Sequence, residues 1–148
     1  MGEDLFHLGV KALIVNGAGQ VLLLKVNPEQ LKGISGNSAN YWDLPGGRIH
    51  RGASVKETLV REVEEELGVR DLTVLRPIGM VLSNIRIPLR DGSDVGLVLS
   101  VYECCMSENA VLTISSEHLS YEWFTVKEAA KLLAVKYPKE FCEQVANL

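Results

Sequence analysis

Glu62, Glu65 and Glu66 stand at spacings i, i+3 and i+4 in the run Arg61-Glu62-Val63-Glu64-Glu65-Glu66-Leu67-Gly68-Val69. At about 100° per residue, that spacing puts the three carboxylates on one face of a helix. Clustered carboxylates suit the binding of a hard divalent cation through oxygen. Helix electrostatics opposes the placement. The acids lie in the C-terminal half, near the negative end of the macrodipole, and Glu62 and Glu66 repel each other by roughly 0.2–0.5 kcal/mol. A bound cation would reverse that penalty. Without one, the same residues read as a solvated acidic face.

The element that carries them has clear ends. Ser54 followed three residues later by Glu57 is a capping-box pattern, which predicts a helix starting just after Ser54. Gly68 fits the left-handed position that closes such a helix. Val55, Leu59, Val63 and Leu67 form an adjoining apolar stripe that must face a core. Ahead of the helix, the Gly46-Gly47 turn can bring backbone carbonyls close to the acids.

This stretch resembles the Nudix box, G-x5-E-x7-R-E-U-x-E-E-x-G-U with U apolar. Gly47, Arg61-Glu62, Val63, Glu65-Glu66 and Gly68-Val69 match it, and Ala53 stands where the family has its first Glu. The resemblance implies an α/β fold, the Nudix-type α/β/α sandwich with a central mixed β-sheet, as a single domain over residues 1–148. It implies metal-dependent hydrolysis of the pyrophosphate bond in a nucleoside diphosphate linked to another moiety. Mg2+ (or Mn2+) is the implied cofactor, held by Glu62, Glu65 and Glu66 with the carbonyl of Gly46. In the family, the residue at Arg61 orients a box glutamate. Glu117, six residues before Trp123, lies where some members carry a further acidic metal ligand or general base. Glu62 is the alternative base, followed by Asp94, Glu103 and Glu108.

Substrate contacts are expected from Arg48, toward phosphate, and from Trp42, which could stack on a base or serve as a core or rim aromatic. His50 and His118 read as surface or structural residues. A nucleoside triphosphate or similar small nucleotide is the expected substrate, with nucleotide sugars or ADP-ribose as runners-up. Ala53 opens a further alternative, a degenerate domain that binds nucleotides as a regulatory module. The retained Arg-Glu-Val-Glu-Glu-Glu run argues for the enzyme.

Composition limits other classes. With 148 residues, 47% apolar, the chain suits one domain with a substantial core. Net charge is −4 and there is no basic run, which argues against binding a nucleic-acid polymer. No apolar run reaches membrane-spanning length, and the acidic start lacks a signal-peptide profile. Cys104, Cys105 and Cys142 follow no zinc spacing and are expected to be reduced thiols of a cytoplasmic protein. The expected assembly is a monomer or homodimer.

Along the chain, residues 8–15 and 21–26 read as strands joined by a turn at 16–20, and are expected to pair as a hairpin. Residues 27–40 form a long polar loop, with Lys25 at its entrance and Lys32 within it, and could wall the substrate site. Strands are expected over 72–78, with 79–87 continuing it or starting another, and over 95–105 and 121–125. Residues 126–133 read as a helix, and Pro138 starts a last one running toward Ala146.

Overall fold

The computed structural model describes residues 2–28 and 41–148. Most of the expected 27–40 loop therefore lies outside the described residues, including Lys32. The elements are β1 (Phe6–Ile14), β2 (Val21–Val26), β3 (Trp42–Asp43), β4 (Gly46–Arg48), α1 (Val55–Leu67), β5 (Thr73–Leu82), β6 (Ile87–Pro88), β7 (Asp94–Cys105), β8 (His118–Phe124), α2 (Val126–Leu132) and α3 (Lys139–Ala146). A short 3-10 turn at Leu133–Val135 joins α2 to the loop before α3.

The strands form a middle layer of two sheets. One has the order β4-β1-β7-β5, with β6 added beside β7; the other has the order β3-β2-β8. The first is mixed, since β1 and β7 run parallel while the other pairs run antiparallel. Helix α1 covers one face, packing Leu59, Val63 and Leu67 on Val10, Ala12 and Ile14 of β1 and Leu22 and Leu24 of β2. On the other face, α2 and α3 pack Ala129, Phe141 and Val145 on Leu13, Leu23, Leu99 and Val101. The layer order is thus the expected α/β/α sandwich.

The expected hairpin is not formed. Strands β1 and β2 meet only at a Val15–Val21 bridge and then enter different sheets. The turn itself is present: the Asn16 carboxamide oxygen accepts from the Ala18 and Gln20 N–H groups. The physical reason is two-sided burial. Val10 and Ala12–Ile14 are all fully buried, as are Val21–Leu24, so each strand needs its own neighbours and a helix on both faces. A hairpin with one solvated face does not satisfy that pattern.

The remaining elements follow local signals. Ser54 caps α1 through a complete capping box with Glu57, and Gly68 closes it at φ +71°. Thr125 and Glu128 form an equivalent box on α2. Pro138 is the N-cap of α3. Strand β7 is the long central strand of its sheet, as expected for the apolar run at 95–105.

Candidate functional site

Helix α1 and strand β4 build the first wall of the site. The Gly46 N–H donates to Glu66 Oε1 at 2.7 Å. Gly46 adopts φ +145°, and a Cβ there would collide with the Val10 carbonyl of β1. A Cβ on Gly47 would collide with the Glu62 carboxylate. The two glycines therefore let the backbone lie directly against the acids of α1. Their exposures differ: Glu66 is 4% exposed, the Glu62 side chain 15% and the Glu65 side chain 62%. Arg61 bonds Glu62 Oε1 at 3.1 Å and reaches Glu65 at 4.0 Å, so it braces two of the acids.

The end of α1 brings in the second wall. A helix leaves its last carbonyls without intrahelical partners. Here the Glu66 carbonyl accepts from Ser115 N–H and the Leu67 carbonyl from Thr113 N–H. From the other side, Asn27 donates through its side chain to the Ser116 carbonyl and through its backbone N–H to the Glu117 carbonyl. The loop before β8 is thereby fixed beside the helix end. Ligand atoms of Glu66, Glu117 and His118 all lie within 4.8 Å of one another. This is a spacing that one divalent ion could span.

Electrostatics in this corner is dominated by burial. Burial pushes the Glu66 carboxyl up to about 8, against the opposing pull of Lys11 and of the Gly46 N–H, with nearby Glu62 and Asp43 adding to the rise. Burial also pushes His118 down to about 4, helped by Lys11 and Lys136 and opposed by Asp43. His118 Nε2 lies 3.6 Å from Glu66 Oε2. With the imidazole neutral and the carboxyl protonated near pH 7, that contact is not an ion pair in the metal-free protein. Among the described residues, His118 Nδ1 is buried with no hydrogen-bond partner.

A buried ionic cluster lies next to these groups. Asp43 Oδ2 accepts from Lys11 Nζ at 3.1 Å and Lys136 Nζ at 2.6 Å, and Oδ1 accepts from the Tyr137 hydroxyl at 2.6 Å. Burial alone would raise the Asp43 carboxyl, but Lys11 and Lys136 hold it well below the usual carboxylate range. Tyr137 is raised well above its ordinary value by burial and then by Asp43. Both groups open on a cleft of about 440 Å3, whose lining includes Glu66, Glu117, His118, Lys11, Asp43 and Lys136.

The structure thus brings Gly46, Glu66, Glu117 and Arg48 to one cleft, with Glu62 behind Gly47. Arg48 Nη1 meets His7 Nδ1 at 3.0 Å. Trp42 is not among the cleft-lining residues; its ring packs edge-on against Phe124 at 5.0 Å, with Lys25 above it. Asp94 pairs with Arg86, Glu103 pairs with Arg76, and Glu108 sits against Gly17. None of these three lines the cleft. Of the two histidines expected to be surface or structural, His50 is exposed in the turn before α1 and the His118 side chain is largely buried beside Glu66. Sequence reading also missed Lys11, Lys136 and Tyr137. The one available signal was Lys11, a charge inside the apolar run at 8–15.

With this geometry in view, comparison with known proteins is decisive. The NUDIX domain family profile matches residues 5–145. The chain belongs to the Nudix hydrolase family. Residues 5–145 form a Nudix pyrophosphohydrolase domain, whose family acts on nucleoside diphosphate derivatives. A MutT protein from Methanosarcina mazei Go1 has 28% identity and a TM-score of 0.73, over 99% of this chain and 97% of that one. Nucleoside triphosphatase NudI of Enterobacter sp. (strain 638) is 28% identical over 116 residues, 76% of this chain and 77% of its own length. A putative 8-oxo-dGTP diphosphatase of Bacillus subtilis (strain 168) is 36% identical over 64 residues. That match spans 43% of this chain and 36% of the relative. Among the described residues, no helix is long and apolar enough to cross a membrane.

Proposed function

We propose that this Nudix domain hydrolyses the pyrophosphate bond of a nucleoside triphosphate or similar small nucleotide, releasing a nucleoside monophosphate and a phosphorylated product. The observation that carries the reading is the buried Glu66 carboxyl, held by Gly46 N–H with Glu117 and His118 beside it in the lining of the cleft. The relative named nucleoside triphosphatase NudI favours triphosphates as the substrate class.

The residues fit a hard divalent cation, Mg2+ or Mn2+. A carboxylate whose charge burial disfavours gains most from a neighbouring cation, and an oxygen-rich set suits these ions. Glu62, Glu65 and Glu66 with the Gly46 carbonyl would hold it, and Glu117 would add a ligand from the facing loop. Such an ion supplies Lewis-acid charge neutralisation on the phosphoryl oxygens and lowers the pKa of bound water.

The chain's own residues supply the rest. Glu117, exposed in the lining of the cleft, would take a proton from water, with Glu62 as the alternative base. Arg61 fixes the Glu62 carboxylate. Arg48, exposed beside Gly47, is the phosphate contact. Ala53 lies in the turn before Ser54, away from the cleft lining, which fits a supporting role for the glutamate it replaces.

The test is a turnover screen of purified protein with Mg2+ and with Mn2+ against nucleoside triphosphates, oxidised deoxynucleoside triphosphates, ADP-ribose, nucleotide sugars and dinucleoside polyphosphates. Triphosphates should give the highest kcat/KM, with the monophosphate as product. Tight binding of one nucleotide with turnover of none would replace this reading by a nucleotide-binding regulatory module.

A further inference from the structure

The cluster of Lys11, Asp43, Lys136 and Tyr137 has no part in the hydrolysis described above, yet its Lys11, Asp43 and Lys136 line the same cleft. A carboxylate offers about four lone-pair sites. Those of Asp43 accept from Lys11 Nζ, Lys136 Nζ, the Tyr137 hydroxyl and the Leu44 N–H. An ammonium has three N–H donors. Among the described residues, Lys11 uses two, on Asp43 and the Leu44 carbonyl, and Lys136 uses one. The Tyr137 proton is committed to Asp43. Of the cluster, Lys11 and Lys136, which line the cleft, keep spare N–H donors, while the Asp43 carboxylate has none of its four acceptor sites left. Two ammonium groups also face one carboxylate, which leaves an excess of positive charge.

The donors are held in place. The Lys136 carbonyl accepts from the Asn84 N–H at 2.8 Å and the Ser83 hydroxyl at 2.7 Å. The Asn84 side chain donates to the Tyr137 carbonyl at 2.9 Å. The same connection between β5 and β6 continues into Ile85 and Ile87, which line the cleft together with Leu97 and Leu99. Lys11 and Lys136 are each 7% exposed. An aliphatic wall beside buried, oriented donors suits a flat heterocycle with acceptor atoms on its edge. It suits a phosphate poorly, because a phosphate would lose its water against that wall.

Resting on the nucleotide-hydrolase reading, we infer that Lys11 and Lys136 are specificity-determining residues that select nucleobases carrying a keto oxygen over those carrying an amino group at the same ring position. A keto oxygen accepts from the spare ammonium protons. An amino group at that position would set donor against donor, with the neighbouring Asp43 carboxylate already saturated. Sites built to hydrogen-bond a substrate group discriminate strongly against analogues that cannot complete the bond.

The test compares ITP with ATP and dUTP with dCTP, each pair exchanging keto for amino. Binding to the whole chain is measured by calorimetry on analogues whose anhydride oxygens are replaced by methylene groups. Keto members should bind about tenfold to a hundredfold tighter, the range for a hydrogen bond to a charged group. Lys136→Gln supplies an acceptor beside its donors and should bring the ratio toward one, whereas Lys136→Arg, donor-only, should keep it. Lys11→Gln is the second variant should Lys136→Gln not fold. Equal binding of both members of each pair by the wild-type protein overturns the inference, as does the absence of binding by any of them. Preferential keto binding without turnover of any nucleotide would sink the hydrolysis reading and leave base selection standing. Equal kcat/KM on keto and amino triphosphates would do the reverse.

Discussion

Replacing Glu66 by Gln separates what the site costs the fold from what it contributes to chemistry. In the metal-free protein burial raises the Glu66 carboxyl from 4.5 to about 8. A carboxyl whose folded pKa exceeds its unfolded pKa binds its proton more tightly in the native state. Its stabilising contribution is whole below about pH 4.5, declines as pH rises, and is lost above about pH 8. A tenfold change in proton affinity corresponds to about 1.4 kcal/mol. Relative to acid conditions, the fold therefore loses on the order of 3 kcal/mol by pH 7 and about 5 kcal/mol above pH 8. Gln cannot ionise, and its carbonyl oxygen can still accept the Gly46 N–H that Glu66 accepts at 2.7 Å. Urea unfolding in EDTA should show Glu66→Gln more stable than wild type at pH 8.5 by about 2–5 kcal/mol, with the gap closing toward pH 5. Added Mg2+ should stabilise the wild type and not the variant. Turnover by the variant should fall by orders of magnitude. A stability gap that does not change with pH would refute the burial argument, and an undiminished rate would refute the metal assignment.

Two further outcomes follow from the neighbouring residues. Asp43→Asn leaves Lys11 and Lys136 buried without their counter-charge, and breaking such a pair costs about 3–5 kcal/mol. Thermal unfolding should drop by about 6–20 °C, at about 2–4 °C per kcal/mol for a chain of this size; a drop under about 2 °C would show that the network contributes little. Ala53→Glu restores the family residue in the turn before α1 and should keep or raise kcat/KM with Mg2+. A clear loss of activity in a folded Ala53→Glu protein would contradict the supporting role given to that position.

Helix α1 was legible because its determinants are local. The Ser54–Glu57 box, the Val55-Leu59-Val63-Leu67 stripe and Gly68 act within one helix, and each appears in the structure in its expected role. The same holds for the Thr125 and Pro138 starts of α2 and α3. Strand pairing was less legible. An apolar run states that a strand is buried on both faces but not which strand lies beside it, and the turn at 16–20 suits a hairpin as well as a crossover between sheets.

The site divides along the same line. The acids of α1 announce themselves by spacing, but the neighbours of Glu66 come from segments distant in sequence: Gly46, which donates to it, and the loop carrying Glu117 and His118. That loop reaches the helix end because Thr113 and Ser115 satisfy carbonyls that any helix would leave open. Capping α1 and assembling the proposed ligand set are therefore one structural event. A change that frees the 113–115 segment should loosen the proposed cation site even with every glutamate intact, because the backbone bonds from Thr113 and Ser115 tie the loop carrying Glu117 and His118 to the end of α1.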